Sequence, residues 1–307
     1  MEEIPEYINL LSYLFIVVYM LSVPLETSIG EILQTLGNLK LMGRALLANF
    51  VIIPILGIFI AGFFDLPADI RTGFLLLAMA PGGLLALQFA RVSKGNRVLA
   101  VALLFGFCLL AILITPALVL LFFPREGAGN LPFGWLILTL LLLIVLPAFA
   151  GRALQMLIPQ HAPKLGLWLG RLSIVLFMIA AVMAGRYKSP AIKLMGTNGI
   201  TAIVLLIIGA WIVGWLLGGP EIRNRKVLAI SSSMRNVGVC LPLASGYFAG
   251  TDVFVPMLAF SGIMIPMNMV FALVTSRALH DPAEGVGSIK TIIMLGILAL
   301  IAVIYRQ

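Results

Sequence analysis

The sequence predicts an all-α polytopic membrane protein with about ten transmembrane helices. Of its 307 residues, 62% are hydrophobic and only 10% are charged, and the mean hydropathy is +1.14. A soluble protein of this size needs many more polar side chains to cover its core. Apolar segments also recur along the whole chain, and their length of about 20 residues is what a helix needs to cross a hydrocarbon layer about 30 Å thick.

The apolar segments define the predicted spans, and no stretch between them is long enough for a soluble domain. The first span follows the acidic sequence "MEEIPEY" rather than a positively charged segment, so we expect a retained helix and not a signal peptide. The spans lie at about residues 8–25, 41–63, 69–94, 97–123, 133–156, 166–186, 198–218, 223–248, 253–277 and 288–305.

The distribution of Lys and Arg predicts the orientation, because these residues resist translocation. With the N-terminus outside, thirteen cations fall on the inner side: Lys40, Arg44, Arg91, Lys94, Arg97, Arg152, Lys164, Arg171, Arg223, Arg225, Lys226, Arg277 and Lys290. Six fall on the outer side: Arg71, Arg125, Arg186, Lys188, Lys193 and Arg306. We therefore expect an integral protein of the plasma or inner membrane whose basic inner face meets anionic lipid headgroups. Nothing in the sequence suggests a nucleic-acid partner.

Two of the spans contain a predicted break. In the third span, "APGG" (Ala80 to Gly83) combines a proline, which removes a backbone donor, with two glycines that release helical geometry. In the eighth span, "SMRNVG" (Ser233 to Gly238) lies at nearly the same depth, and its polar side chains can satisfy an unwound backbone. The turn after the third span is basic and the turn after the eighth is acidic. Matched depth and reversed end charge favour inverted repeats over two unrelated kinks.

Paired broken helices in inverted repeats form the midplane binding site of many secondary transporters. We therefore expect the two breaks to cross, with backbone from Pro81, Gly82, Gly83, Val237 and Gly238 at the crossing. Cys108 and Cys240 lie in apolar segments and indicate neither a disulfide framework nor a metal site. No His, Cys, Asp or Glu constellation lies within the spans, so the sequence predicts no enzyme, no metal and no cofactor.

The two broken segments resemble those of the bile acid:sodium symporter family. "LLLAMAPGGLLALQFARVSKGNRVLAVAL" is similar to a family segment with a Pro-Gly-Gly break and a Lys/Arg-Gly-Asn turn, and "SSSMRNVGVCLPLASGYF" resembles the second crossover segment. The resemblance implies a core of spans two to four and seven to nine and a panel of spans one, five and six. It further implies a first repeat at 8–123 that lacks one helix, a second repeat at 133–277 and an additional C-terminal helix at 288–305.

The departures from the family pattern concern its sodium sites, which use the oxygen ligands that a hard cation requires. Ala86 and Leu87 stand where the family has Ser-Asn, and Ala100 and Leu104 stand where it has hydroxyls. Ser231 replaces the family glutamate and Arg235 replaces a glutamine. One sodium site is therefore expected to be lost. The second retains Asn49, where the family usually has glutamine, together with backbone carbonyls that could serve as ligands, and its other glutamine is now a permanent cation.

Arg235 needs an explanation because a guanidinium at the bilayer centre costs at least about 2.5 kcal/mol without partners or a cavity. The central regions of the spans offer no acidic residue to pair with it, since the acidic residues lie near span ends or in loops, among them Glu26, Asp65, Asp69, Glu126 and Asp252. Two hypotheses remain open. Arg235 contacts an anionic substrate directly, or it braces the crossing through the hydroxyls of Ser231, Ser232 and Ser233 and through backbone carbonyls.

The remaining candidates for substrate contact are polar side chains near the breaks. Asn236 follows the arginine, Gln88 lies one turn beyond the Pro-Gly-Gly break, and Asn268 lies in "IPMNMV". A hydrogen bond between helices is an equal alternative for Gln88 and the favoured one for Asn268.

The predicted function is transport of a small or amphipathic organic anion by alternating access, without sodium coupling. Sodium-coupled symport is the alternative within the same class, and a sensor or scaffold that binds a ligand without moving it is the alternative from another class. The sequence leaves the identity of the substrate and the oligomeric state open.

Overall fold

The computed structural model describes residues 6–122, 141–237 and 251–278, together with positions 134, 138, 240, 244 and 248. Within these residues every regular element is a helix, and the only extended pairing is an isolated bridge. Three stretches of 25 residues, Leu39–Phe63, Lys193–Leu217 and Asp252–Ser276, are apolar and long enough to cross a membrane. The predicted helical membrane protein is thus confirmed. The number of ten spans and the repeats stay predictions, and the helix at 288–305 lies outside the described residues.

The helices follow one another along the chain with short connections. In order they are α1 (Glu6–Glu26), α2 (Ile29–Leu36), α3 (Leu39–Leu47), a π-helical turn (Ala48–Ile52), α4 (Ile53–Phe63), α5 (Ala68–Met79), α6 (Ala86–Val92), α7 (Arg97–Phe122), a second π-helical turn (Leu141–Val145), α8 (Leu146–Leu157), α9 (Ala162–Leu217), α10 (Ile222–Ser233), a 3-10 turn (Asp252–Phe254) and α11 (Val255–Ala278).

Two elements differ from the predicted spans. Helix α2 falls in the predicted loop between the first two spans, where eight helical residues are too few to register as a membrane span. Helix α9 extends over both the sixth and the seventh predicted spans, but it consists of two helices joined by a kink at Gly196 instead of by the expected loop. Its one residue with non-helical backbone angles is Gly196, at φ 62° and ψ 175°. The interruption is therefore confined to one glycine, the residue for which a positive φ costs least.

The chain divides into two compact units. The first contains Met1–Gln34 and Pro132–Pro190. In this unit α1 packs closely against α8, and a side chain at Gly151 would overlap the carbonyl oxygen of Leu21. The aromatic rings of Phe15 and Phe177 have their centroids 5.1 Å apart, so the first part of α9 also packs on α1.

The second unit contains Thr35–Leu131 and Ala191–Gln307. Here α5 packs between α4 and α11, and α6 packs against both α7 and α10. Trp211 of α9 stacks on Phe271 of α11 with a centroid separation of 4.8 Å. The first unit thus holds the described parts of predicted spans one, five and six, and the second holds those of spans two to four and seven to nine, which is the division that the resemblance implies for panel and core.

Candidate functional site

The two predicted breaks meet within the second unit. Helix α5 ends at Met79 and α6 begins at Ala86, while α10 ends at Ser233. Pro81 and Arg235 form an antiparallel bridge, the Asn236 N–H donates to the Ala80 carbonyl over 2.8 Å, and the Gly83 N–H donates to the Met234 carbonyl over 3.1 Å. Backbone groups that the two breaks release from helical bonding therefore satisfy one another, as a nonpolar environment requires.

The glycines of "APGG" permit this crossing in two ways. Gly82 has a φ of 100°, which side chains other than glycine rarely adopt. At Gly83 an added Cβ would lie 2.7 Å from the Cβ of Met234, so a side chain would push the two segments apart. The sequence therefore encodes the close approach on the α5–α6 side of the crossing.

The guanidinium of Arg235 lies at the centre of the crossing, and this residue is only 1% exposed. Its Nε donates to the Leu77 carbonyl over 2.9 Å, and Nη2 donates to the Ala78 carbonyl over 2.5 Å. Its Nη1 donates to the Ser232 carbonyl over 3.1 Å and to Asn49 Oδ1 over 3.2 Å. Among the described residues, four of the five N–H groups of the guanidinium thus have an acceptor, which leaves one N–H, on Nη2.

Three of the four acceptors are carbonyls of the last turns of α5 and α10. Carbonyls at a helix end carry the negative end of the helix dipole, and most of them lack a partner within their own helix, although the Leu77 carbonyl also accepts the Ala80 N–H over 3.2 Å. A cation at this point satisfies both helix ends at once. This geometry favours the bracing hypothesis for Arg235, in which the arginine occupies the place of a cation between the ends of two broken helices.

Asn49 lies in the π-helical turn Ala48–Ile52, a deviation that occurs frequently at functional sites. Its Oδ1 accepts from Arg235, and its Nδ2 donates to the Ala45 carbonyl over 3.0 Å and to Ser232 Oγ over 2.9 Å. Both hydrogens of the amide and its oxygen are therefore engaged with protein atoms. The side chain that the sequence suggested as a remnant of the second sodium site orients the arginine instead.

The three serines before the arginine are all buried, but they have different partners. Ser232 accepts from Asn49, and Ser233 Oγ lies 2.6 Å from Asn268 Oδ1 and 2.9 Å from the Ile230 carbonyl. Ser231 is 3% exposed, and its Oγ has no hydrogen-bond partner among the described residues. The predicted bracing of Arg235 by these hydroxyls is therefore indirect, because the serine atom that contacts the guanidinium is the carbonyl oxygen of Ser232.

Asn268 joins three helices rather than the arginine. Its Oδ1 accepts from Trp211 Nε1 of α9 over 3.1 Å and from Ser233 of α10, and its Nδ2 donates to the Met264 carbonyl over 3.0 Å within α11. This is the interhelical role that the sequence analysis favoured. The hydrogen bond from Ser233 connects Asn268 to the end of α10, beside the crossing.

The positions expected to have lost sodium ligands are buried and apolar. Ala86, Leu87, Ala100 and Leu104 are each at most 3% exposed. Gln88 directly follows Leu87, and its Nε2 is buried without a partner among the described residues. Gly238 lies outside the described residues, whereas Val237 donates its N–H to the Arg235 carbonyl over 3.1 Å.

Sequence reasoning missed the contribution of the two cysteines to the crossing. Cys108 Sγ donates to the Gly82 carbonyl over 3.3 Å, Asn236 Nδ2 lies 3.7 Å from the same sulfur, and Cys240 Sγ donates to the Leu76 carbonyl over 3.6 Å. Both thiols thus serve freed backbone carbonyls near the breaks. A cysteine in an apolar segment gives no sign of this role, since buried packing predicts the same residue.

Comparison with known proteins gives one family and several relatives. The model of the sodium bile acid symporter family matches residues 13–212. The "Uncharacterized sodium-dependent transporter YocS" of Bacillus subtilis is 29% identical over 70% of this chain and 67% of its own length. The "Probable sodium/metabolite cotransporter BASS2, chloroplastic" of rice, Oryza sativa, is 25% identical over 77% of this chain, and the match spans 57% of that relative. The "Probable sodium/metabolite cotransporter BASS1, chloroplastic" of Arabidopsis thaliana is 20% identical over 86% of this chain and 66% of its own length.

Proposed function

Because the chain belongs to the sodium bile acid symporter family, we propose that it is a secondary transporter that moves a small or amphipathic organic anion by alternating access, without sodium coupling. The observation that carries this proposal is the position of Arg235, whose guanidinium joins the ends of two broken helices. The relatives are named as sodium-dependent transporters and cotransporters, so the coupling proposed for this chain differs from the coupling in their names.

Electrostatic repulsion from Arg235 opposes the binding of sodium at the crossing. Two unit charges 4 Å apart repel by about 4 kcal/mol at an effective dielectric constant of 20. A sodium ion at the crossing would meet this repulsion from Arg235 in every state of the transport cycle, because a guanidinium is not deprotonated in proteins. Its binding would therefore be weakened about a thousandfold relative to a site with a neutral glutamine.

The supply of oxygen ligands for sodium is also reduced. Sodium is a hard cation that needs several oxygen ligands. The carbonyl oxygens of Leu77, Ala78 and Ser232 and the amide oxygen of Asn49 already accept hydrogen bonds from Arg235. At the other sodium site four of the corresponding side chains are apolar and Ser231 offers a hydroxyl in place of a carboxylate, so neither site retains the set of oxygens that an ion requires.

The substrate class follows from the same charge. The acceptors of Arg235 among the described residues are all neutral oxygens, so its positive charge is not cancelled by a carboxylate there. An anion that approaches the crossing is attracted without a co-bound cation. Among the described residues at the crossing, one N–H on Nη2, the buried amide of Gln88 and the hydroxyl of Ser231 are polar groups left to meet it.

Sodium-coupled symport is the second candidate, favoured by the names of the relatives. Transport in liposomes separates the two. The purified chain is reconstituted, organic acids that raise its unfolding temperature are selected as substrates, and their uptake is measured with sodium or choline outside while valinomycin and potassium fix the voltage. We expect equal uptake in both media, with protein-free liposomes as the blank. Uptake that requires sodium would establish the symport candidate instead.

A further inference from the structure

A second polar region of the same unit lies where the turn between α6 and α7 meets the start of α10. The Asn96 N–H donates to the Arg223 carbonyl over 3.3 Å, and Asn96 Nδ2 donates to Asn224 Oδ1 over 2.9 Å. A side chain at Gly95 would press on Val227, which shows how closely the turn lies on α10. The turn is therefore fixed to the helix by specific contacts and presents a defined surface.

This surface concentrates positive charge. The stretches 91–97 and 221–226 together contain six cationic residues and one acidic residue. Lys226 is only 3% exposed and donates from Nζ to the Ser93 carbonyl over 3.2 Å. Lys94 directly follows Ser93, Arg223 lies one helical turn before Lys226, and the side chains of Lys94 and Arg223 are exposed. Three like charges are thus held together by the fold, and a lysine is kept almost entirely out of water beside two other cations.

We propose that Lys94, Arg223 and Lys226, here called the basic cluster, form a binding site for a phosphate group, carried by an anionic lipid headgroup or by a soluble phosphate ester. Fixed cations that repel one another are stabilised by a multivalent oxyanion, and Lys and Arg form short charge-assisted hydrogen bonds with phosphate oxygens. Lys94 supports the geometry, since its φ of 56° turns the chain sharply at the rim of the site.

A bound phosphate group would have a mechanical effect. Lys94 follows α6 and Arg223 lies in the first turn of α10, so one ligand would join the ends of the two half-helices that cross at Arg235. Binding at the basic cluster should therefore stabilise the second unit, whatever the substrate or the coupling of transport. This inference stands independently of the proposed function.

Thermal unfolding of the purified full-length chain tests the site. The probes are short-chain phosphatidylglycerol, short-chain phosphatidylcholine as the lipid without net charge, and glycerol 3-phosphate as the soluble phosphate ester. We expect phosphatidylglycerol to raise the unfolding temperature and phosphatidylcholine not to do so. If glycerol 3-phosphate has the same effect, a soluble phosphate is a sufficient ligand, and if only phosphatidylglycerol acts, the site is a headgroup site.

The variant Lys94→Gln/Arg223→Gln removes the two exposed charges and spares the buried lysine. Each basic residue near an anionic surface contributes about a fivefold gain in affinity, so we expect this variant to need about 30-fold more phosphate probe for half of the shift. The matched control Lys40→Gln/Lys164→Gln also removes two exposed cations from the predicted inner side, and it should respond like the wild-type chain. Equal responses of the two double variants, or no shift of the wild-type chain with either phosphate probe, would overturn the proposal.

Discussion

We propose that a single side chain, that of Arg235, takes the place of a bound ion. The lysine ammonium is a compact point charge, whereas the planar guanidinium directs five donors in fixed directions. That shape allows one residue to reach carbonyls of α5 and α10 and the amide of Asn49 at the same time. Among the described residues, the buried charge is stabilised by neutral carbonyl and amide oxygens and not by a carboxylate.

The variant Arg235→Gln tests this role. The carbonyl oxygens of Ala78 and Ser232 lose their donor, each at a cost of about 1 to 3 kcal/mol, whereas the Leu77 carbonyl keeps the Ala80 N–H, so we expect the free energy of unfolding to fall by at least about 2 kcal/mol. Arg235→Lys should not restore it, because one ammonium group does not reach all three oxygens. The same oxygens become available as ligands, so sodium should raise the unfolding temperature of Arg235→Gln more than potassium does.

The wild-type chain is the control for that experiment, and its unfolding temperature should be the same in sodium and potassium. A rise specific to sodium in the wild-type chain would contradict the replacement of the ion by Arg235. A destabilised Arg235→Gln variant without any response to sodium would show that the freed oxygens do not form a cation site.

At this scale the sequence predicted side chains better than their partners. The isolated cation, the neighbouring serines and Asn49 were all identifiable as polar groups in apolar segments. The acceptors at Leu77 and Ala78 were not, because a backbone carbonyl has the same chemistry whatever side chain it carries. Which carbonyls lie free at a helix end depends on where the helix stops in three dimensions.

At the scale of elements, the break between α5 and α6 was predictable because proline and glycine act through the backbone itself. Helix α2 was missed because eight residues are too few for a hydropathy window, and the helical residues on either side of the kink at Gly196 were missed because the polar residues there are typical of a loop. Polarity and helix formation are separate properties, and only the first is strongly marked in a membrane sequence.

The close approach at Gly83 yields a prediction at this scale. Gly83→Ala would place a methyl group 2.7 Å from the Cβ of Met234, and overpacking of this kind costs about 1 to 3 kcal/mol. The matched control is Gly106→Ala in α7, where no atom lies within 4 Å of the added carbon. We expect thermal unfolding to show a destabilised Gly83→Ala and a control that is unchanged or slightly stabilised. Equal stabilities would mean that the two broken segments do not cross this closely.

At the scale of the whole molecule, the sequence predicted which spans form each compact unit through the family resemblance rather than through hydropathy. Hydropathy assigns spans one by one and contains no information about which of them pack together. The orientation in the membrane is still a prediction, since it depends on the distribution of Lys and Arg relative to a bilayer.

Cysteine labelling tests that orientation. Ser93 is fully buried, so the exposed neighbour Lys94 is the better site on the predicted inner face, and the exposed Arg71 serves on the predicted outer face. In a background with Cys108→Ala and Cys240→Ala, a membrane-impermeant maleimide applied to intact cells should label Arg71→Cys and not Lys94→Cys. After permeabilisation both should react. The reverse pattern in intact cells would place the N-terminus inside.

The covalent attachment of the guanidinium also has an energetic consequence for the cell. A carrier that binds an exchangeable cation can harvest an ion gradient, whereas a cation that is part of the polypeptide returns to its starting point in every cycle and does no work. The membrane voltage then acts on the substrate alone. At 100 mV, negative inside, each unit of charge is worth about 2.3 kcal/mol, so a monovalent anion would come to equilibrium about 50-fold more concentrated outside than inside. Without another energy source, this protein would release its substrate from a polarised cell rather than accumulate it.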